Sequence, residues 1–330
     1  MEYRKLGKTD LTVSVITFGA WAIGGWMWGG TNEKEAIEAI HAGLDYGMSS
    51  IDTAAVYGFG LSEEIVGKAL KGKPRDKVQI FTKFGMRWDI DKGELHSKSK
   101  DRNGKLMEIH KFAGKESVIW ECEQSLKRLS TDYIDLYQIH WPDNTTPVEE
   151  TMEALGILKQ QGKIREAAVC NYNLSQLREA NQYLNLASNQ VPYSMLLRDY
   201  EEDVFPYCVE ENIGILAYSS MQRGVLTGKF TPDHQFSEGD HRASNKYFHP
   251  ENIRAINSFL DQIKPIAEKH HATLAQLVLR WTIDRSGITV ALAGARNAKQ
   301  AKENALAADI QLSDKELQTI NERLSELELT

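Results

Sequence analysis

Cysteine is scarce and poorly placed for pairing: Cys122, Cys170 and Cys208 are odd in number, far apart, and none stands in a CxxC. Reduced thiols in a cytoplasmic protein are the expectation, rather than a secreted disulfide framework. No apolar run exceeds strand length, so no membrane-spanning helix is expected. The opening MEYRKLGKTD has no apolar core and no cleavage site, so it does not read as a secretory signal. Basic charge is not in excess: 39 Lys and Arg against 46 Asp and Glu leave a net charge of −7. That removes a global electrostatic case for nucleic acid or an anionic membrane. Nine histidines include no spacing that resembles a zinc site, and the pair His270-His271 reads as a solvated helix end. The GxGxxG fingerprint is missing too; the first apolar strand runs instead into FGAWAIGGWMWGG.

What is present is alternation. Short apolar strands are expected at Ser14–Phe18, Ser50–Asp52, Val78–Lys83, Ile134–His140, Glu166–Cys170, Gln190–Tyr193, Ile215–Tyr218 and Thr289–Ala293. Helical patterns fall between them, among them Glu33–Tyr46, Ser62–Leu70, Lys115–Leu129, Pro147–Gln161, Ser175–Tyr183, Asp203–Glu211 and Asn297–Ala308. Thr31-Asn32, Gly60 and Asn173 stand where helices start, and Gly47, Gly72 and Gly162 where they end. Eight strand–helix units with near-continuous apolar strands imply a parallel sheet covered on both faces. In 330 residues they close into a single-domain (β/α)8 TIM barrel; an open doubly wound sheet is the alternative. YRKLGKTDLTVSVI reads as an N-terminal β-hairpin turning at Gly7–Asp10 and plugging the barrel bottom. Gly85–Gly114 is too long and polar for a simple connection and is expected to be a mobile functional loop at one mouth. Met221–Pro250 is a second long insertion, and Ser313-Asp314 caps an extra C-terminal helix, Lys315–Leu327.

In such a barrel, reactive groups gather at the C-terminal ends of the strands. Asp52, Lys83 and His140 end three successive strands, and Tyr57 follows in the loop after the second. Singly, each has an ordinary explanation: a turn aspartate, a rim tyrosine, a solvated lysine, a core histidine. At adjacent strand ends they form a chemical set. A phenol is a poor acid at neutral pH; a nearby ammonium favours its phenolate, and an aspartate keeps that ammonium charged and placed. The tyrosine then protonates an oxygen on which charge develops, and the histidine steers that oxygen. This is the set for carbonyl reduction, with hydride from a nicotinamide cofactor, since no side chain supplies one. Trp21 and Trp141 flank these strands and Trp88 sits in the long loop, so all three are candidates to line a substrate pocket with Tyr57 and His140. Lys98–Lys105 is a solvated charge cluster.

FGAWAIGG, IDTAAVYG, IFTKFG, SLKRLSTDYIDLYQIHWPD, QQGKIR, AVCNYN, AYSSMQRGVLTGKF and LAGARNAKQAKEN together resemble the aldo-keto reductases over nearly the whole chain. WAIGGWMWGGT and RGVLTGK are most similar to the bacterial NADPH-dependent, general-stress-protein-type members. The resemblance puts the family's catalytic tetrad on Asp52, Tyr57, Lys83 and His140. It also implies NADP(H) as cofactor. Cys170, Asn171 and Gln190 would hold the nicotinamide amide and Tyr218 would stack on the ring. Ser219, Ser220, Met221, Gln222, Arg223 and Lys229 would follow the pyrophosphate, Gly294, Arg296, Gln300, Glu303 and Asn304 the adenosine, and Gly19, Ala20 and Trp21 the mouth of the first strand. Cys170 and Ser194 depart from the serine and asparagine common there. The partner implied is a small-molecule carbonyl substrate, for a monomer or weak homo-oligomer. A non-catalytic or regulatory NADP(H)-binding subunit, resembling potassium-channel β-subunits, is the other reading, because such subunits can keep the tetrad.

Overall fold

The computed structural model describes residues 1–237 and 239–330. A hairpin, β1 (Tyr3–Lys5) and β2 (Thr12–Ser14), precedes β3 (Ile16–Gly19), α1 (Glu33–Asp45), β4 (Ser50–Asp52), α2 (Leu61–Leu70) and β5 (Gln79–Phe84). Then come β6 (Met86–Arg87), β7 (Glu94–Lys100), β8 (Leu106–Lys111), α3 (Lys115–Leu129), β9 (Ile134–Ile139), α4 (Val148–Gln160), β10 (Ile164–Cys170), α5 (Leu174–Tyr183) and β11 (Ser188–Pro192). The chain finishes with α6 (Val204–Glu210), β12 (Gly214–Tyr218), α7 (Pro250–Lys269), α8 (Leu274–Ile283), β13 (Ile288–Gly294), α9 (Ala298–Leu306) and α10 (Asp314–Ser325). β3, β4, β5, β9, β10, β11, β12 and β13 close into a barrel, each parallel to its neighbours. All eight expected strands are present, Ser50–Asp52 with the expected bounds and the others displaced by at most two residues at their ends, where hydrogen bonding rather than hydropathy decides.

The hairpin closes the barrel bottom as its apolar residues require. Leu6, Leu11 and Val13 pack with Phe81, Leu136, Ala168, Leu216 and Val290 inside the barrel. Gly7 makes the turn with φ +55, and a Cβ there would lie 2.7 Å from the Ala187 and Asn212 carbonyl oxygens. Only glycine lets the turn approach the barrel that closely.

Two expectations are corrected and one helix is added. Gly85–Gly114 is largely an antiparallel sheet in the order β6-β8-β7, not a loop. Cross-strand pairs hold it, Lys98–Glu108 at 2.5 Å and Lys111–Glu94 at 2.8 Å, and these charges are what made the segment read as solvated coil. After β12 there is an added helix, α7, before the barrel helix α8; it packs against both α8 and α10. His270 ends α7 but is not simply solvated, since its Nε2 lies 3.1 Å from Glu316 Oε1. Among the described residues no helix is long and apolar enough to cross a membrane.

One buried acid supports the strand that carries Lys83. Glu121 on α3 accepts the Gly85 backbone N–H at 3.0 Å and the Ser117 hydroxyl at 3.2 Å. Burial pushes its carboxyl from the usual 4.5 up to about 7, against the opposing pull of Arg87 and the Gly85 N–H. Between those two values the folded chain binds more protons than the unfolded one, so stability falls as pH rises, by at most about 1.4 kcal/mol per pH unit. Glu121→Gln keeps an acceptor for Gly85 and has no charge to bury. Its melting temperature is expected to change less than the parent's between pH 5 and 7 and to exceed it at pH 8. Parallel pH curves for the two would show that Glu121 does not titrate in that range.

Candidate active site

At the C-terminal mouth of the barrel lies a cavity of about 600 Å3, running from Trp141 and Tyr57 at one side to Arg296 and Asn304 at the other. Asp52 ends β4 and Lys83 lies on the neighbouring β5; both are buried. His140 follows the last residue of β9, its N–H held by the Phe84 carbonyl at 3.0 Å. Tyr57 is delivered by a turn in which Gly58, Phe59 and Gly60 all have positive φ. A Cβ on Gly58 would lie 2.3 Å from the Gly24 carbonyl oxygen, so the turn bearing Tyr57 is wedged against the loop after β3.

The structure brings the four residues together. Lys83 Nζ donates to Asp52 Oδ1 at 2.5 Å, the Thr53 carbonyl at 2.9 Å and Tyr57 Oη at 3.4 Å. Those contacts use all three ammonium protons. Because Tyr57 Oη accepts from Lys83, its own O–H is left to point at the cavity. Gln190 Nε2, at 2.8 Å, and Gln138 Nε2, at 3.2 Å, donate to Asp52 Oδ2. The Tyr57 and His140 rings lie edge to face, 5.6 Å apart.

The electrostatics differ from expectation at one point. Burial raises the Tyr57 phenol to about 12; Lys83 opposes this and Asp52 adds to it. The ammonium therefore limits the rise instead of producing a phenolate, because desolvation of the charged form is the larger effect. Burial pulls Lys83 down, but Asp52 and Tyr57 outweigh it and hold the ammonium above its usual value. His140 is held well below its usual value, by burial first and Lys83 second, and is neutral.

The expected cofactor positions divide. Gly19, Ala20, Trp21, Asp52, Asn171, Gln190, Tyr218, Ser219, Ser220, Met221, Arg223, Lys229, Gly294, Arg296, Gln300, Glu303 and Asn304 all line the cavity. Tyr218 Oη donates to Asn171 Oδ1 at 2.9 Å and Asn171 Nδ2 to the His140 carbonyl at 2.9 Å, which fixes the Tyr218 ring as a platform. Gly19 and Gly294 pair across β3 and β13 and leave bare backbone at the groove floor. Two positions do not reach the lining. Cys170 is buried behind it, with Sγ 3.8 Å from Gln138 Oε1. Gln222 turns away, its Oε1 accepting the Ser194 hydroxyl at 3.0 Å, while Ser194 Oγ accepts the Leu196 N–H at 3.2 Å.

On the substrate side Trp21, Tyr57, His140 and Trp141 line the cavity. Trp88 does not; it packs edge to face on Phe59, 5.6 Å away, in a small apolar cluster with Met86 and Ile109. Trp26, Met27, Trp28, Met86, His96, His241 and Arg242 also line it and were not foreseen. Trp26, Met27 and Trp28 stand in the glycine-rich stretch after β3, a signal that was available; the other four come from the insertions.

A sequence model of the Aldo/keto reductase family matches residues 15–324. The chain is 41% identical to aldo-keto reductase YhdN of Bacillus subtilis (strain 168) over 303 residues, 91% of this chain and 86% of that one. It is 38% identical to the NADH-specific methylglyoxal reductase of Escherichia coli (strain K12) over 328 residues, 98% of each. The solved glycerol dehydrogenase of Gluconobacter oxydans superposes with a TM-score of 0.88 at 35% identity, covering 98% of this chain and 95% of that one. The chain belongs to the aldo/keto reductase family.

Proposed function

We propose that the protein reduces aldehydes and ketones to alcohols with NADPH and that Tyr57 is the general acid. The observation that carries this is the three-way donation by Lys83, which occupies one side of Tyr57 Oη and leaves its proton for the cavity. The groove suits a nicotinamide dinucleotide: a fixed aromatic platform at Tyr218, a bare floor at Gly19 and Gly294, and cationic Arg223, Lys229 and Arg296 where phosphates would lie. Bound there, the nicotinamide supplies a hydride to the carbonyl carbon. Tyr57 gives its proton to the carbonyl oxygen as the C–O π bond breaks, and the phenolate left behind rests against Lys83 until water returns the proton. Neutral His140 carries one ring N–H to donate to the same oxygen. Turnover of an aldehyde panel, followed by loss of NADPH or NADH absorbance, tests the reading. No turnover with either cofactor would favour the non-catalytic subunit.

The preference for NADPH rests on Arg296. It follows β13, beside the start of α9, where helix N–H groups and a planar guanidinium suit a 2′-phosphate. Its backbone N–H is held by Gln300 Oε1 at 2.8 Å. Its guanidinium contacts the Trp28 carbonyl at 3.3 Å and the Gly30 carbonyl at 2.9 Å. Arg296→Ala is expected to weaken NADPH binding about 10- to 100-fold, the worth of a charged hydrogen bond, and to spare NADH. Fluorescence titration with both cofactors checks it. Equal losses would assign Arg296 to tethering the Trp28–Gly30 loop and leave the 2′-phosphate to another group. The E. coli relative, NADH-specific by name, makes this comparison decisive for the cofactor.

A further inference from the structure

Gln138 stands on β9 among apolar neighbours and is wholly buried. A buried amide destabilises the fold unless its donors and acceptor are paired. Gln138 Nε2 donates to Asp52 Oδ2 at 3.2 Å. Its Oε1 accepts Gln190 Nε2 at 3.3 Å and the Cys170 thiol at 3.8 Å. Gln190 Nε2 also donates to the same Asp52 Oδ2, at 2.8 Å. Gln138, Gln190 and Asp52 therefore close a ring of hydrogen bonds inside the barrel, directly behind the Lys83 ion pair.

Chemistry fixes which way each amide in the ring points. A carboxylate only accepts, so both glutamines turn their nitrogens to Asp52. Gln138 then has its oxygen free for the second Nε2 proton of Gln190. Both Gln190 donors are thus used inside the barrel. Gln190 also lines the cavity, and among the described residues no protein group donates to its Oε1. What Gln190 offers a ligand is therefore an acceptor. Gln138 itself does not reach the cavity lining. Without its oxygen, one Gln190 proton would lose its partner, and the amide could rotate about the single contact left to Asp52.

We infer that Gln138 is a positioning residue that locks the Gln190 amide with its oxygen toward the nicotinamide end of the groove. The inference rests on the nicotinamide-dinucleotide reading above. A nicotinamide carboxamide carries an NH2 group, which suits an acceptor held in one orientation; a rotated Gln190 would set nitrogen against nitrogen. Gln138 acts only through Gln190 and Asp52, so its effect must vanish when Gln190 has no amide to orient.

The test measures binding of the tighter of NADPH and NADH, and of its fragment without the nicotinamide, adenosine 2′,5′-bisphosphate or adenosine diphosphate ribose. The proteins are the parent, Gln138→Met, Gln190→Met and the double variant. Methionine has nearly the shape of glutamine and no amide. Gln138→Met is expected to weaken the dinucleotide about tenfold, the worth of roughly one hydrogen bond, and to spare the fragment. In the Gln190→Met background the same change should cost nothing further. No loss, a loss shared by the fragment, or a loss of equal size with and without Gln190 would overturn the positioning role and leave the reductase reading intact. A second measurement needs no change at Gln138. In the ligand-free parent both Gln190 side-chain protons should exchange slowly with water, followed by NMR of isotope-labelled glutamine and assigned with Gln190→Met. Rapid exchange of either proton would overturn the ring. A parent that binds neither dinucleotide would overturn the cofactor reading, and the role of Gln138 with it.

Discussion

Tyr57→Phe is expected to lower kcat by about 10²–10⁴-fold, the usual contribution of a placed general acid, while cofactor affinity is retained. Phenylalanine keeps the ring stacked near Trp21, at 6.1 Å, and edge to face with His140. Only Oη is lost, and with it the proton aimed at the cavity. Since burial pushes the phenol to about 12, the ligand-free enzyme keeps Tyr57 protonated throughout the neutral and mildly alkaline range. An ultraviolet difference titration of the parent against Tyr57→Phe should therefore show no tyrosinate from this residue below about pH 10. A tyrosinate appearing near neutrality would reverse the balance between burial and Lys83. A variant that turns over at nearly the parent rate would remove Tyr57 from the acid role altogether.

The barrel was legible because its strands are buried on both faces. Runs such as VQIF and IDLYQI have no polar alternation, and only a covered parallel sheet suits them. The hairpin plug was legible for the converse reason: Leu6, Leu11 and Val13 are apolar residues beside a glycine turn, with nowhere else to be buried. The sheet β6-β8-β7 was not. ELHSKSK carries polar residues on both faces, and its stability comes from pairing with β8 rather than from a hydrophobic face. α7 is a different case. Ile253, Ile256, Phe259, Leu260, Ile263 and Ala267 are buried along one stripe, so its helical period is present in the sequence, just beyond the insertion that ends at Pro250.

The site divides along the same line. Asp52, Lys83 and His140 were legible because a barrel fixes where strand ends point, and three adjacent ends must converge. His96 was not, because it sits at a register shift of β7 on β8, between Leu95 and Ser97, and no composition signal marks such a shift. His241 was not, because it reaches the cavity from an irregular segment, where its Nδ1 lies 2.8 Å from the Met27 carbonyl. Cys170 and Trp88 were misjudged in the opposite sense. Cys170 precedes the lining residue Asn171 but faces the barrel interior, and Trp88 shares the apolar cluster of the lining residue Met86 but packs on Phe59 behind the wall.

Lys83→Met is the substitution expected to cost the fold most. The Lys83 and Asp52 side chains are only 1% and 4% exposed, so removing the ammonium leaves a buried carboxylate with two amide donors, Gln190 and Gln138. Breaking a buried pair from one side costs about 3–5 kcal/mol. Adding Asp52→Asn removes the stranded charge, so the double variant should unfold later than Lys83→Met alone, a coupling of at least about 1 kcal/mol. The pH dependence follows from the direction of the Lys83 shift. Burial lowers it, Asp52 and Tyr57 raise it more, and the net is upward from 10.5. A cation held above its unfolded value stabilises fully below that value and loses the contribution only as pH rises through the folded one. The cost of Lys83→Met should therefore be the same at pH 6 and pH 9, measured by denaturant unfolding. A cost that disappears by pH 9 would mean that Lys83 is already neutral in the fold. Activity separates the two roles of the ion pair: the double variant should regain stability but not kcat, because Tyr57 Oη still lacks the donor that turns its proton toward the substrate. Recovery of both together would reduce the pair to a structural strut and leave the direction of the Tyr57 proton to some other contact.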